Sequence, residues 1–471
     1  MSSGLLGAHT DELMGRLEPL AGEVSSQERR RLVSVTVELE ARIDPSAIAL
    51  ASRLAGERWF CWEQPARGLA IATLGAALEI ISRGEGRFAD LGRECAAAVR
   101  GALLEGPDDL PAGAGAVWVG GFAFDPNGAS APHWSSLPPA LMVMPEVSIV
   151  SSDDRAFLTA TLFAGGGADT EGSLRRLGGR LAGLRDEALP LSDPDPTRES
   201  RIVSSREPSS FESAVSSATQ RIESGALEKV VLAREVTVQA GAAHDPAATF
   251  GAIRDKFPSC FCFCVGTGEA AFLGASPELL VRRAGPIAAT VALAGSVRRS
   301  ADPAIDAHLG QQLRLSDKDR REHEIVARRI ERALAPHSVW VERAAEPELA
   351  EVANVTHLAT PIHAHLAEAR SAIELAGLLH PTPAVGGEPM DAAGAAIAEL
   401  EEMDRGWYAG PVGWMDVTED GEFCVALRSA LLRDRHAHAF AGAGIVAGSD
   451  PAAELAETEL KLEAILPLLT G

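Results

Sequence analysis

The chain is short of positive charge: 43 lysines and arginines stand against 66 aspartates and glutamates, a formal net charge of −23. A surface that acidic repels nucleic acid and anionic lipid, so neither is expected as a partner. It also repels an anionic metabolite, so an anionic substrate would need local Arg or Lys, helix N-termini or a metal. No uninterrupted apolar run reaches the roughly 20 residues that cross a bilayer. Residues 1–20 carry Asp11, Glu12 and Glu18 and lack the basic-then-apolar order of a secretory leader. A soluble, cytoplasmic protein is therefore expected. Tyrosine occurs once, at Tyr408. Of six cysteines, three alternate in Ser259-Cys260-Phe261-Cys262-Phe263-Cys264-Val265, which puts their thiols on one face of a strand. One reading is a metal or redox cluster. The other, expected here, is small apolar packing in a reducing compartment. No repeat of solenoid period is present.

What is present supports a substantial folded protein. Hydrophobic residues make up 46% of the 471, enough for one large or two ordinary cores. Strands are expected at 32–39, at 116–124 (with a glycine pair inside it) and at 141–147, and helices at 46–55, 86–104 and 171–187. Pro190-Leu191-Ser192-Asp193-Pro194-Asp195-Pro196 reads as a surface connection. It parts an N-terminal region, 1–195, from a second region, 208–468, which are either subdomains of one fold or separate domains. In the second, helix 210–224 leads into strand 228–238, followed by strands at 260–266, 271–275 and 278–283. A long helix spans 317–335, and strands at 407–416, 422–433 and 438–446 precede a last helix, 451–467. Helices and strands intersperse without regular alternation, which argues for α+β rather than a doubly wound parallel sheet.

Several residues in the second region could carry chemistry. Lys229 opens an apolar strand and shares a face with Val231 and Ala233. Enclosed there, its pKa would fall and the neutral amine could take a proton from water; alternatively it is a strand-edge lysine reaching solvent. Glu278, between Phe272-Leu273-Gly274-Ala275 and Leu279-Leu280, could be a buried proton donor or a turn glutamate. Helix 317–335 has Ser316 as its N-cap candidate and puts Asp319, Glu322 and Val326 on one face. Helix 451–467 has Asp450 as cap, Pro451 in the first turn, and Glu454, Glu457 and Lys461 along one face. Acids on two helices could hold one hard cation such as magnesium, or be two solvated faces. The glycines of Ala439-Phe440-Ala441-Gly442-Ala443-Gly444 allow close backbone approach to an anion, but do not form a dinucleotide fingerprint. Arg428 sits in an apolar strand, either paired internally or free for a carboxylate. Trp407 and Tyr408 read as core.

Taken in order, these motifs resemble those of the chorismate-utilising enzymes. The likeness covers residues 208–468 and runs through Lys229-Val-Val-Leu-Ala-Arg234, Gly274-Ala-Ser-Pro-Glu278, Asp317-Lys-Asp-Arg-Arg-Glu322-His323, Thr356-His357-Leu-Ala-Thr360, His380-Pro-Thr-Pro-Ala384, Tyr408-Ala-Gly-Pro-Val-Gly413, Ala426-Leu-Arg428, Ala441-Gly-Ala-Gly444 and Glu457-Thr-Glu-Leu-Lys461. It implies a single large α+β fold of two facing β-sheets covered by helices, completed by the N-terminal region. It implies Lys229 as the base that activates water and Glu278 as the acid that protonates a leaving hydroxyl. Glu322 and Glu457 match magnesium ligands, with Glu454 in a supporting or water-mediated place. His357, Tyr408, Arg428, Lys461, Ala384 and the backbone at Gly295, Ser296, Gly442 and Gly444 match the substrate cradle.

Within that family a lysine at 229 implies water rather than ammonia as nucleophile, and so no amidase subunit. Water addition to chorismate with loss of the C4 hydroxyl makes isochorismate. Alanine at 384, where pyruvate-eliminating members tend to have threonine, resembles the isochorismate synthases and not the salicylate synthases, which go on to eliminate. Upstream, Glu57-Arg-Trp-Phe-Cys-Trp62 and Gly120-Gly-Phe-Ala-Phe-Asp-Pro126 resemble the menaquinone-type isochorismate synthases; supply of a catechol siderophore is the alternative. A monomer is expected.

Overall fold

A computed structural model of the chain describes residues 3–40, 42–191, 200–352 and 355–470. Most of the proline-rich connection, with the boundary placed at 195, lies outside the described residues. The architecture is α+β: a sheet of 13 strands and a sheet of 10 among the described residues, with helices packed on them. One apolar core lies between the sheets. Trp62, Phe263, Phe272 and Phe440 of the larger sheet share it with Val119, Leu280, Val412 and Phe423 of the smaller. On the outer face of the larger sheet, Val33, Val35 and Cys61 pack with Leu13, Leu17, Ile48, Leu177 and Phe250 from four helices, Ser3–Ser25, Pro45–Ser52, Thr170–Ala182 and Pro246–Lys256. Helices Arg87–Val99, Asp317–Leu334 and Ala372–Leu379 lie against the smaller sheet.

Strands from both halves of the chain share both sheets. Phe261–Gly266 pairs with Trp59–Gln64 in the larger, and Pro411–Asp416 with Val117–Phe122 in the smaller. Period-two alternation sends Phe263 inward and Cys260, Cys262 and Cys264 outward. All six cysteines are buried free thiols. Burial pushes Cys260 up to about 11 and raises Cys262 and Cys264 as well, so the alternating thiols are apolar packing.

Two expected strands are each two strands in different sheets. The run at 141–147 divides into Ala140–Met144, in the smaller sheet, and Val147–Ser152, in the larger. The run at 422–433 divides into Gly421–Val425 and Ser429–Arg433, again one in each. A chain passing between two packed sheets stays buried throughout, so hydrophobicity does not mark the passage. Pro145 and the left-handed φ of +47° at Arg428 do. The strand expected from 407 starts at Pro411, after a turn that includes Ala409 at φ +61°. Helix Ser3–Ser25, not expected from the sequence, buries Leu6, Leu13, Leu17 and Val24 along one face.

Candidate active site

The passages between the sheets position the first two residues of the site. Ala271–Ser276 belongs to the larger sheet and Leu279–Ala284 to the smaller, and Glu278 lies between them. Arg428 lies on the neighbouring passage. The two are tied together: the Val425 N–H donates to the Glu278 carbonyl at 3.1 Å, and the Ala275 N–H to the Arg428 carbonyl at 3.3 Å. Backbone leaving one sheet for another turns its side chains into the gap. Glu278 is 5% exposed, and burial pushes its carboxyl up to about 7 against the opposing pull of Lys229, Thr382 and Lys461. Thr382 Oγ1 donates to its Oε1 at 3.5 Å.

Arg428 Nη2 donates to His357 Nε2 at 3.2 Å, while its Nη1 is buried with no partner among the described residues. An orphaned guanidinium nitrogen beside a cavity is suited to a carboxylate. Burial, with Arg428 and Lys461 adding repulsion, lowers His357 to about 3. The ring is therefore neutral, with Nε2 as acceptor. His357 stands opposite Ser296, just past a bulge at Gly295, whose φ is +72°. A Cβ there would come within 3.1 Å of the Asp319 side chain.

Two helices bring the acids. Ser316 caps Asp317–Leu334 as expected, accepting from the Asp319 N–H, and Asp450 caps Pro451–Leu462. Glu322, on the first, lies 2.8 Å from Nζ of the fully buried Lys229. Glu457, on the second, pairs with Lys461 at 2.7 Å, and Lys461 Nζ also donates to the Gly442 carbonyl at 2.8 Å. Burial pushes the Glu457 carboxyl up, but Lys461, with Lys318 and Lys229 adding to it, holds that carboxyl below its usual range. Gly444 leaves room for the Lys229–Glu322 pair: a Cβ there would collide with Glu322 Oε1 and lie 3.2 Å from Lys229 Cε. At Gly442 a Cβ would meet the Leu232 carbonyl at 3.0 Å and the Tyr408 hydroxyl at 3.2 Å. The turn bearing Tyr408 is anchored by the buried Arg405, which ion-pairs Glu401 and donates to the carbonyls of Val231 and Val385.

One cavity is lined by Glu278, Gly295, Ser296, Glu322, His357, Ala384, Tyr408, Arg428, Gly442, Gly444, Glu457 and Lys461. Twelve residues singled out from the sequence thus face one space. Two others stand behind its wall. Lys229 is screened by Glu322 and Gly444, and Glu454 is buried against Lys318 at 3.0 Å. The sequence reading did not single out Lys318, Leu293 or Phe440, which also line the cavity. The chain has only four lysines, and three of them, Lys229, Lys318 and Lys461, gather here. That rarity was a signal available in the sequence.

The donors suit a hard cation. Burial raises the Asp319 carboxyl, and Glu322 and Glu457 add repulsion; a divalent ion between these acids would relieve it. Among the described residues the pocket acids do not form a group of three within 4.8 Å. Magnesium, which needs one or two carboxylates and completes its shell with water or substrate, does not require one.

A cavity walled by a buried acid and by cations, with a buried amine behind its wall, lies between two facing sheets and defines a class of enzyme. A family model described as chorismate binding enzyme matches residues 19–470, and the chain belongs to that family. A salicylate biosynthesis isochorismate synthase of Pseudomonas aeruginosa is 37% identical over 459 residues, covering 98% of this chain and 94% of that protein. The isochorismate synthase MenF of Bacillus subtilis is 32% identical over 450 residues, 93% of this chain and 94% of its own. Among solved structures, the menaquinone-specific isochorismate synthase MenF from Escherichia coli superposes with a TM-score of 0.80 at 27% identity, over 98% of this chain and 99% of that one.

Proposed function

We propose that this chain is an isochorismate synthase. The carrying observation is the buried Glu278 carboxyl, brought to about 7 in a cavity that also holds the unpaired Nη1 of Arg428. At neutral pH much of Glu278 is protonated and can give its proton to a leaving hydroxyl. In the reaction, water oxygen bonds to the chorismate ring carbon next to the carboxylate-bearing carbon, and Lys229 takes the proton released. The ring double bonds shift, the C4–oxygen bond breaks, and the departing hydroxyl leaves as water with the proton from Glu278. Arg428, Lys461 and neutral His357 hold the anionic substrate, and the backbone from Gly442 to Gly444 lets it approach closely. Glu322 and Glu457, supported by Glu454, would hold magnesium, which supplies a hard cation for the ring carboxylate.

Lys229 favours water over ammonia, so the reading includes no amidase partner; it is of a monomer acting in the cytoplasm. No helix among the described residues is long and apolar enough to cross a membrane. Ala384 faces the cavity, and its small side chain favours release before pyruvate elimination. The upstream motifs favour menaquinone as the destination, with siderophore synthesis as the competing use. Incubating the purified chain with chorismate and magnesium tests the reading. Isochorismate should accumulate without added ammonia, and Ala384→Thr should release some pyruvate. Salicylate and pyruvate from the unaltered chain would make it a salicylate synthase, and dependence on ammonia would make it an aminating subunit. Restored growth of a menaquinone-requiring strain checks the pathway.

A further inference from the structure

The pair of strands that forms the cavity floor carries a second cluster at its far end. Glu235 lies on Lys229–Ala240 and His438 on His436–Ile445, with Glu235 opposite Phe440 and His438 opposite Thr237. Period two places both side chains on the face that presents Phe440 to the cavity. His438 is six residues from Gly444, about 20 Å along an extended strand, so the cluster is separate from the acids of the active site. The short turn Pro132–Trp134 lays His133 over it. The two imidazoles stack with centroids 4.4 Å apart and planes 12° from parallel, and His438 Nδ1 lies 2.6 Å from Glu235 Oε1. His133 Nε2 is buried and has no hydrogen-bond partner among the described residues. One nitrogen from each histidine and one oxygen of Glu235 lie within 4.8 Å of one another, the only such group of three among the described residues.

Two imidazoles and a carboxylate, one nitrogen unpaired, form a donor set for late first-row divalent metals rather than for magnesium, which takes oxygen ligands. Ligand atoms on tetrahedral zinc are about 3.3 Å apart at metal–nitrogen distances of about 2.0 Å, so the stacked rings must rotate out of parallel to close the group on an ion. The other nearby charges leave room for a cation. Asp404 accepts from the N–H groups of Ala129, Ser130 and Ala131. Arg433 is occupied by Glu269 and by the carbonyls of Pro132 and His133. We propose that His133, Glu235 and His438 bind zinc or a similar divalent transition metal, with a water in the fourth position. The ion clamps the 129–138 segment onto the strand pair, over the aromatic run Trp134, Phe440 and Tyr408 that leads to the cavity.

The test uses the full chain, stripped with a chelator and held in excess magnesium, titrated with Co2+ as a spectroscopic probe. One equivalent should bind with visible d–d absorption, be displaced by Zn2+, and persist in Glu457→Gln. His133→Ala, a change on a surface turn, should weaken Co2+ binding by more than the roughly 10–100-fold that losing a supporting partner costs, with Glu235→Gln and His438→Gln in the same direction. Zn2+ should raise the melting temperature of the unaltered chain and not of His133→Ala. No Co2+ bound in the presence of magnesium, loss of binding in Glu457→Gln, or unchanged affinity in His133→Ala overturns the proposal.

Discussion

Glu278 owes its burial to where the chain changes sheets, and a residue so placed has a pH signature. Burial raises its pKa to about 7. As the proposed acid it loses its proton as pH rises through about 7, and kcat/KM for chorismate should fall along that limb. The same shift carries a stability consequence. A carboxyl whose folded pKa lies above its unfolded one favours the fold at low pH, and that contribution is lost as pH rises through the folded value. Glu278→Gln should lower the rate by about 10²–10⁴-fold and melt higher than the unaltered chain at pH 9, with no such gain at pH 5. A wild-type rate or an absent pH limb would remove Glu278 as the acid. Lys229→Ala should abolish turnover while leaving substrate binding measurable by calorimetry. Both residues were visible in the sequence as charges among apolar neighbours. Lys318 was not, because a lysine in a helix full of charge has no such contrast.

At the scale of elements, the strands and helices that carry the site were largely legible. Lys229–Ala240 and Asp317–Leu334 follow their apolar periods, and the Ser316 and Asp450 caps mark where both acid-bearing helices begin. The passages between sheets were not legible, because 141–147 and 422–433 stay apolar through the break. Arg428 consequently read as a strand residue when it is the turning point, at φ +47°. Gly444 shows what element packing demands of one position, since strand and helix approach so closely there that a methyl group would displace Glu322. Gly444→Ala should leave the circular dichroism spectrum near wild type and lower the melting temperature, because the buried Lys229 loses its partner. It should also raise the magnesium concentration needed for half-maximal activity by about tenfold. An unchanged metal titration would separate Glu322 from the cation.

For the whole molecule, the division at the proline-rich connection is one of sequence and not of independent packing, because the halves contribute neighbouring strands to both sheets. A fragment of residues 200–471 should therefore show no cooperative melting transition when expressed alone, and coexpression with residues 1–199 should restore one. A sharp transition in the isolated fragment would mean that the C-terminal half folds by itself. The interleaving also constrains biosynthesis. His436–Ile445, made well after Lys229–Ala240, is seated between Lys229–Ala240 and Ser429–Arg433, third from one end of the larger sheet. Until it arrives, Lys229–Ala240 presents an open, hydrogen-bond-hungry edge of buried residues. Non-local pairing of this kind is slow, so the nascent polypeptide must be kept from self-association until that strand has been made, and chaperone supply should limit its yield.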